Sequence, residues 1–219
     1  MLRALTTIVD RLLMSGRIEA GHIDLVASAV DVVPLLAEQA AAMGSSTGRD
    51  VVVAAPADIP EVWVDRDALT TVVDHLLDNA VKYSPNGGTI TLDAAVGDDV
   101  VSIVVVDQGV GMTADQAETC FDRFWQAEPT DVRRFGGTGI GLYIVRSLVD
   151  ALGGSVAVQS APGEGSSFCV ALPRADRVHL DADGSDPSAD DVEPRDAGRG
   201  DPSIIREYMR QLGVRVEAS

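Results

Sequence analysis

The spacing of apolar residues divides the chain into helices and strands. Leu2, Leu5, Val9, Leu12 and either Leu13 or Met14 recur at three- and four-residue intervals, which predicts a helix over residues 1–20. A single stripe of this kind needs a partner, either its own domain or a second helix of a hairpin or dimer stem. After Gly21, a helix is predicted over Asp31 to Met43, with Pro34 in its first turn. Val51 to Ala54 and Val62 to Val64 read as short strands. The strongest periodicity follows. Leu69, Val72, Val73, Leu76, Leu77, Ala80 and Val81 define one face of a helix over 66–83, with Asp65 placed to cap it and Ser84-Pro85-Asn86-Gly87-Gly88 to stop it.

Thr89 to Val96 and Val100 to Val106 predict a hairpin about Gly97-Asp98-Asp99. Thr113 and Gln116 stand at capping-box spacing and predict a short helix. A second long helix is predicted from about Gly139 to Leu152. A last hairpin, Ser155 to Ser160 and Ser167 to Leu172, turns at Pro162-Gly163-Glu164-Gly165. The fold class is therefore α+β: a mixed, mostly antiparallel sheet with about three helices on one face. Beyond Pro173 the pattern fails. Residues 175–202 are rich in Asp, Pro, Gly and Ser and are expected to form a disordered acidic linker. Ile204, Ile205, Tyr208, Met209 and Leu212 then mark an amphipathic tail helix over 203–219.

Composition narrows the function. The 219 residues are 46% hydrophobic but only 4% aromatic, so the core is aliphatic. The formal net charge of −17 repels a phosphate backbone at long range and argues against nucleic acid as a partner. It leaves room for a nucleotide held in a local field. Cys120 and Cys169 show no metal-ligand spacing and are expected to be reduced thiols in a cytosolic protein, Cys169 within a strand core. The apolar run Val100 to Val106 is too short to span a bilayer, and no signal-peptide pattern is visible.

Three segments carry candidate chemistry. On the 66–83 helix, His75, Asn79, Lys82 and Tyr83 share a face beside the apolar one. An amide oxygen suits Mg²⁺, and a lysine adds a charge for phosphate; an ordinary polar helix face reads equally well from this segment alone. Asp107 ends a buried strand ahead of Gly109 and Gly111. A carboxylate there can accept a hydrogen bond from an exocyclic amine such as adenine N6, with the glycines expected to leave space for the base. The run Gly136-Gly137-Thr138-Gly139-Ile140-Gly141-Leu142 opens a helix and offers amide N–H groups to an anion. It lacks the Lys-Ser/Thr of a P-loop and the preceding strand of a dinucleotide fold. Residues 120–137, bearing Phe121, Phe124 and Trp125, read as a mobile lid or a long surface loop.

In order, "HLLDNAVKYS", "DQGVGM", "FDRFW" and "GGTGIGLYIV" resemble the four nucleotide-binding boxes of the sensor histidine kinase catalytic domain. This is the Bergerat ATP-binding fold, shared with gyrase and mismatch-repair ATPases. The resemblance covers roughly residues 23–173. It implies ATP and Mg²⁺ as cofactors, with Asn79 as the Mg²⁺ ligand. It implies Lys82 and Tyr83 as phosphate- and ribose-side contacts and Asp107 as the adenine-reading carboxylate. Gly137, Thr138, Gly139, Gly141 and Leu142 match the phosphate turn, and His75 occupies a position that can assist catalysis. Gln126 replaces an arginine often found after the aromatic pair. Residues 1–20 resemble only the end of a dimerisation stem, ahead of an ATP-binding domain over 21–174. The phosphoacceptor histidine is not found in the chain: His22 reads as a surface residue, His179 falls in the acidic linker and His75 belongs to the nucleotide site.

The implied activity is transfer of the ATP γ-phosphoryl to a histidine on a stem or partner chain, with a response regulator downstream. The implied location is the cytoplasm, with the cytosolic part of a membrane-bound kinase as the alternative form. The tail faintly resembles the start of a receiver domain. Two other readings stay open: an anti-sigma-factor-type serine kinase and a non-catalytic ATP-binding regulatory module.

Overall fold

The computed structural model describes Gly16, residues 24–126 and residues 138–178. The elements run β1 (Ser28–Val30), α1 (Val32–Thr47), β2 (Val51–Val53), β3 (Val62–Val64), α2 (Arg66–Tyr83), β4 (Ile90–Val96), β5 (Val100–Asp107), α3 (Ala114–Thr119), α4 (Gly141–Ala151), β6 (Ser155–Ala161) and β7 (Gly165–Pro173), then a 3₁₀ turn at Ala175–Arg177. The stem helix over 1–20 lies outside the described residues, as do the tail helix over 203–219 and nearly all of the acidic linker. The described chain continues as far as residue 178, a few residues into that acidic stretch.

The main sheet has the order β2-β4-β5-β7-β6, with β2 parallel to β4 and every other pair antiparallel. A separate antiparallel pair joins β1 to β3. Register explains the core. Leu92 lies opposite Val105, Val105 opposite Phe168, and Phe168 opposite Val158, so alternate residues of four strands face the same way. Against that face pack Leu35 and Leu36 of α1, Leu69, Val73, Leu76 and Leu77 of α2, and Ile144 and Leu148 of α4, in one continuous cluster. The other face gathers only a small second cluster around Val104 and Cys169. The two-layer α+β arrangement is the one the periodicity predicts.

Local chemistry sets the element ends. Asp65 Oδ1 accepts from the amide N–H of Ala68 at 2.9 Å and caps α2. Its second oxygen accepts from the amide N–H of Val26 at 2.9 Å, which pins the entering strand to the helix start. Thr113 and Gln116 form the reciprocal capping box that starts α3. Two readings needed adjustment. The helix predicted to end at Met43 runs four residues further. Ser46 and Thr47 hydroxyls bond the Met43 carbonyl at 3.1 and 2.7 Å, and the left-handed cap falls at Gly48. Strand β1 escaped the pattern because only Val30 of its three residues is buried.

The sheet also fixes where the chain enters and leaves. Asp107 pairs with Ser166 at one end of β5–β7, and Val100 pairs with Pro173 at the other. Eight residues of β5 separate these ends by about 24 Å. Arg174 closes the far end: it bridges to Val62 of β3, and its guanidinium donates to the carbonyls of Gly97 and Asp98 at 3.1 and 3.2 Å. The incoming strand β1 pairs with β3 at this same end. The entering strand β1 and the end of β7 thus both lie at the pole opposite Asp107.

Candidate nucleotide site

Three segments converge at the Asp107 end of the sheet. The first is the C-terminal half of α2, whose apolar face is committed to the core and whose adjoining face carries His75, Asn79, Lys82 and Tyr83, all half-buried. The second is the loop after β5. It is tied to α2 by a hydrogen bond from the amide N–H of Val110 to the Tyr83 carbonyl at 2.9 Å. The third is the turn into α4. A methyl group placed on Gly141 would lie 3.9 Å from His75 Nδ1, so the start of α4 stands beside the middle of α2.

The first and third segments bring polar groups that the fold leaves unsatisfied. Asn79 Nδ2, Ser84 Oγ and Thr138 Oγ1 are buried without a hydrogen-bond partner among the described residues. Such atoms cost free energy unless something else meets them. The N-cap of α4, Ile140, offers no side-chain hydrogen bond, and among the described residues none is seen to cap the helix, so its first amide N–H groups and the positive end of its dipole can meet an anion. Asp107 is 4% exposed, and burial pushes its carboxyl above the usual aspartate pKa. The amide N–H groups of Gly109 and Ser166 and the charge of Arg49 act in the opposite sense. The Gly109 bond to Asp107 Oδ1 measures 2.8 Å. A nearby Ser84 hydroxyl also favours the carboxylate, although it makes no hydrogen bond of standard geometry.

Lys82 is engaged by its neighbour. Its Nζ donates to the Tyr83 hydroxyl at 2.9 Å and lies 4.5 Å from the centre of that ring. The two residues form a paired unit at the end of α2. Packing alone already requires Gly109 and Gly111. A Cβ on Gly109 would strike the Tyr83 carbonyl and Asp107 Oδ1, and one on Gly111 would strike the Ala161 carbonyl. These glycines let the β5 loop pack against α2 and the turn between β6 and β7.

Gly137 and most of the expected lid lie outside the described residues. The lid's described edges meet, because the backbone at Gly139 passes directly against Phe124 and Trp125. Phe121 is buried edge-on to Phe168, with ring centres 6.2 Å apart. Phe124 adopts a left-handed φ of 63° and is exposed, with the Arg123 guanidinium 4.7 Å above its ring. Arg123 also lies 6.0 Å from the Tyr143 ring.

Arg49 is the site-facing residue that sequence reasoning missed. It follows the left-handed cap of α1 and carries no periodic or motif signal. Its guanidinium reaches the Ser84, Gly87 and Gly88 carbonyls at 2.8, 3.1 and 3.5 Å.

Among the described residues no group of three or more His, Cys, Asp or Glu side chains is placed to hold a metal ion. A divalent ion here would take one protein ligand and fill its sphere with water and phosphate oxygens, the habit of Mg²⁺. The amide of Asn79 fits that role. One of its two polar atoms has no protein partner, and the amide presents an oxygen to either side after a half-turn.

An α+β sheet with a buried carboxylate, an unpartnered amide and an open helix N-terminus at one end defines a nucleotide-binding domain. Residues 64–176 match the family of histidine kinase-, DNA gyrase B- and HSP90-like ATPases, and the chain belongs to it. It is 36% identical over 124 residues to the sensor histidine kinase WalK of Bacillus subtilis, covering 56% of this chain and 20% of that one. A sensor-like histidine kinase of Rhizobium meliloti is 32% identical over 173 residues, 77% of this chain and 33% of its own. The full-length structure of ShkA in complex with AMPPNP superposes with a TM-score of 0.69 at 30% identity, over 78% of this chain and 36% of that one. The chain thus carries the ATP-binding catalytic domain of two-component sensor kinases. It spans about a fifth to a third of these two curated relatives. Among the described residues no helix is long and apolar enough to cross a membrane.

Proposed function

We propose that this chain binds Mg-ATP and transfers the γ-phosphoryl group to a histidine on a dimerisation stem, from which a response regulator receives it. The observation that carries the reading is the convergence on one end of the sheet of the buried Asp107 carboxyl, the Asn79 amide and the start of α4, which has no side-chain cap among the described residues. Asp107 would accept from the exocyclic amine of adenine. The amide N–H groups from Gly139 to Leu142, with Thr138 Oγ1, would hold phosphate oxygens, and Gly137 would complete that turn. Lys82 and Tyr83 would act as a pair at the ribose and phosphate side. Asn79 would hold Mg²⁺, which when bound neutralises charge on the phosphates. His75 stands beside Gly141 and would orient groups at the phosphate end.

Positioning and electrostatics are what such a site contributes to phosphoryl transfer; the nucleophile comes from the acceptor. The test is transfer from radiolabelled ATP to a separately supplied histidine-bearing stem. Acid-labile labelling of the stem is expected, and Asn79→Ala should reduce it by at least about a hundredfold, the loss typical of removing a group that stabilises transition-state charge. An acid-stable, alkali-labile product would identify a serine kinase instead. Tight ATP binding with no transfer to any cognate stem would identify a regulatory module.

A further inference from the structure

We propose that Arg49 is a positioning residue for nucleobase recognition, holding the 84–88 loop against Asp107 and Gln108 in the arrangement that selects adenine. The inference rests on the assignment of Asp107 as the base-reading carboxylate. Arg49 lies outside every motif of the site and outside the matched family region, residues 64–176. Its guanidinium is part-buried and forks across the chain: one nitrogen donates to the Ser84 carbonyl at 2.8 Å, and the other to Gly87 at 3.1 Å and Gly88 at 3.5 Å. These carbonyls follow the C-terminus of α2, where backbone oxygens have no intrahelical partner and the dipole end is negative. A planar guanidinium can meet several of them at once; an ammonium cannot match that geometry.

The clamped loop touches the base-reading end directly. Ser84 is 1% exposed, and its hydroxyl lies near Asp107. A methyl on Gly88 would fall 2.8 Å from the Gln108 side chain, so the loop packs on the residue that follows Asp107. The charged or polar groups bearing on the Asp107 carboxyl are the Gly109 and Ser166 amides, the Ser84 hydroxyl and Arg49; Arg49 is the charged one among them. Its positive charge favours the carboxylate that burial opposes. One side chain therefore holds the loop beside the base-reading carboxylate and adds a positive charge that favours its ionised form.

The two roles separate experimentally. Binding of Mg-ATP and Mg-ITP to the full chain would be followed by calorimetry from pH 5 to 8. Inosine lacks the exocyclic amine. Each variant is compared with the native chain at the same pH, so titration of the nucleotide cancels. Arg49→Met should weaken ATP about tenfold, the scale of hydrogen bonds made by a charged group, and should narrow the ATP-over-ITP preference. It should also move the acid limb of ATP affinity to higher pH, because Asp107 then protonates more readily. Arg49→Lys keeps the charge without the fork. Its acid limb should stay near the native position while the base preference remains reduced. Should Arg49→Met fail to fold, the lysine variant decides alone, since a native ATP-over-ITP ratio in it overturns the proposal. Asp107→Asn is the control on the underlying reading. Loss of base preference in Asp107→Asn with native behaviour in Arg49→Met sinks only the role of Arg49. An unchanged preference in Asp107→Asn sinks the reading on which it rests.

Discussion

Burial raises the pKa of Asp107 above the ordinary aspartate value of about 3.9, and this has a cost in the empty domain. Between that ordinary value and the raised folded value, the native state binds the proton that the unfolded chain has released. Stability therefore falls as pH rises through this window and stays at the lower level above it. Asp107→Asn keeps the acceptor oxygen for the Gly109 N–H and removes the buried charge. It should raise the nucleotide-free stability at neutral pH while flattening the fall above the ordinary aspartate value, as read by urea denaturation over a pH series; a lower stability at neutral pH would contradict this. On the role proposed for Asp107, nucleotide selectivity and apo stability pull in opposite directions at one residue. At this scale Asn79 and Asp107 were legible because each sits on a regular element whose apolar pattern fixes its direction. Arg49 was not legible, because its bond to Ser84 joins residues 35 apart and no period relates them. The self-packing of Gly109 and Gly111 was likewise invisible, since it depends on Tyr83 and Ala161, distant in sequence.

The elements differ in how far a local change should spread. Leu77 is fully buried on α2, between the sheet and the other helices. Leu77→Ala should cost about 2–5 kcal/mol and weaken ATP binding with it, because α2 carries Asn79 and Lys82. Thr113→Ala removes the capping box of the six-residue α3 and should cost only about 1 kcal/mol, with ATP affinity nearly unchanged. Chemical denaturation with parallel ATP titration separates the two, and equal losses of affinity would contradict the assignment of the site to α2. Periodicity placed α2, α4 and the long strands well, since each buries a full stripe. It failed where the signal is short or mixed. β1 buries a single side chain, and the end of α1 is carried by Ser46 and Thr47, whose hydroxyls satisfy the helix from within.

Charge acts on the molecule as a whole. The chain carries a formal −17, and Mg-ATP is itself an anion. At low salt the distant carboxylates repel the nucleotide. At physiological ionic strength the screening length is about 8 Å, which removes distant repulsion and spares contacts inside the site. The association rate of a fluorescent ATP analogue in stopped-flow should therefore rise between about 0.01 and 0.15 M salt; a fall would mean that the local field of Arg49 and Lys82 already governs approach at long range. Architecture was legible at this scale because the order of strands and helices constrains a two-layer fold. The pairing of β1 with β3 was not, and with it the closure of the pole by Arg174. That closure gives the domain a mounting side and a working side. Whatever is joined before β1 or after β7 attaches beside Arg174 and the Gly97–Asp99 turn, about 24 Å from Asp107. On the proposed function the fold would then serve as an interchangeable cartridge: different tethers would swing it toward different acceptors while the grip on its fuel stays the same.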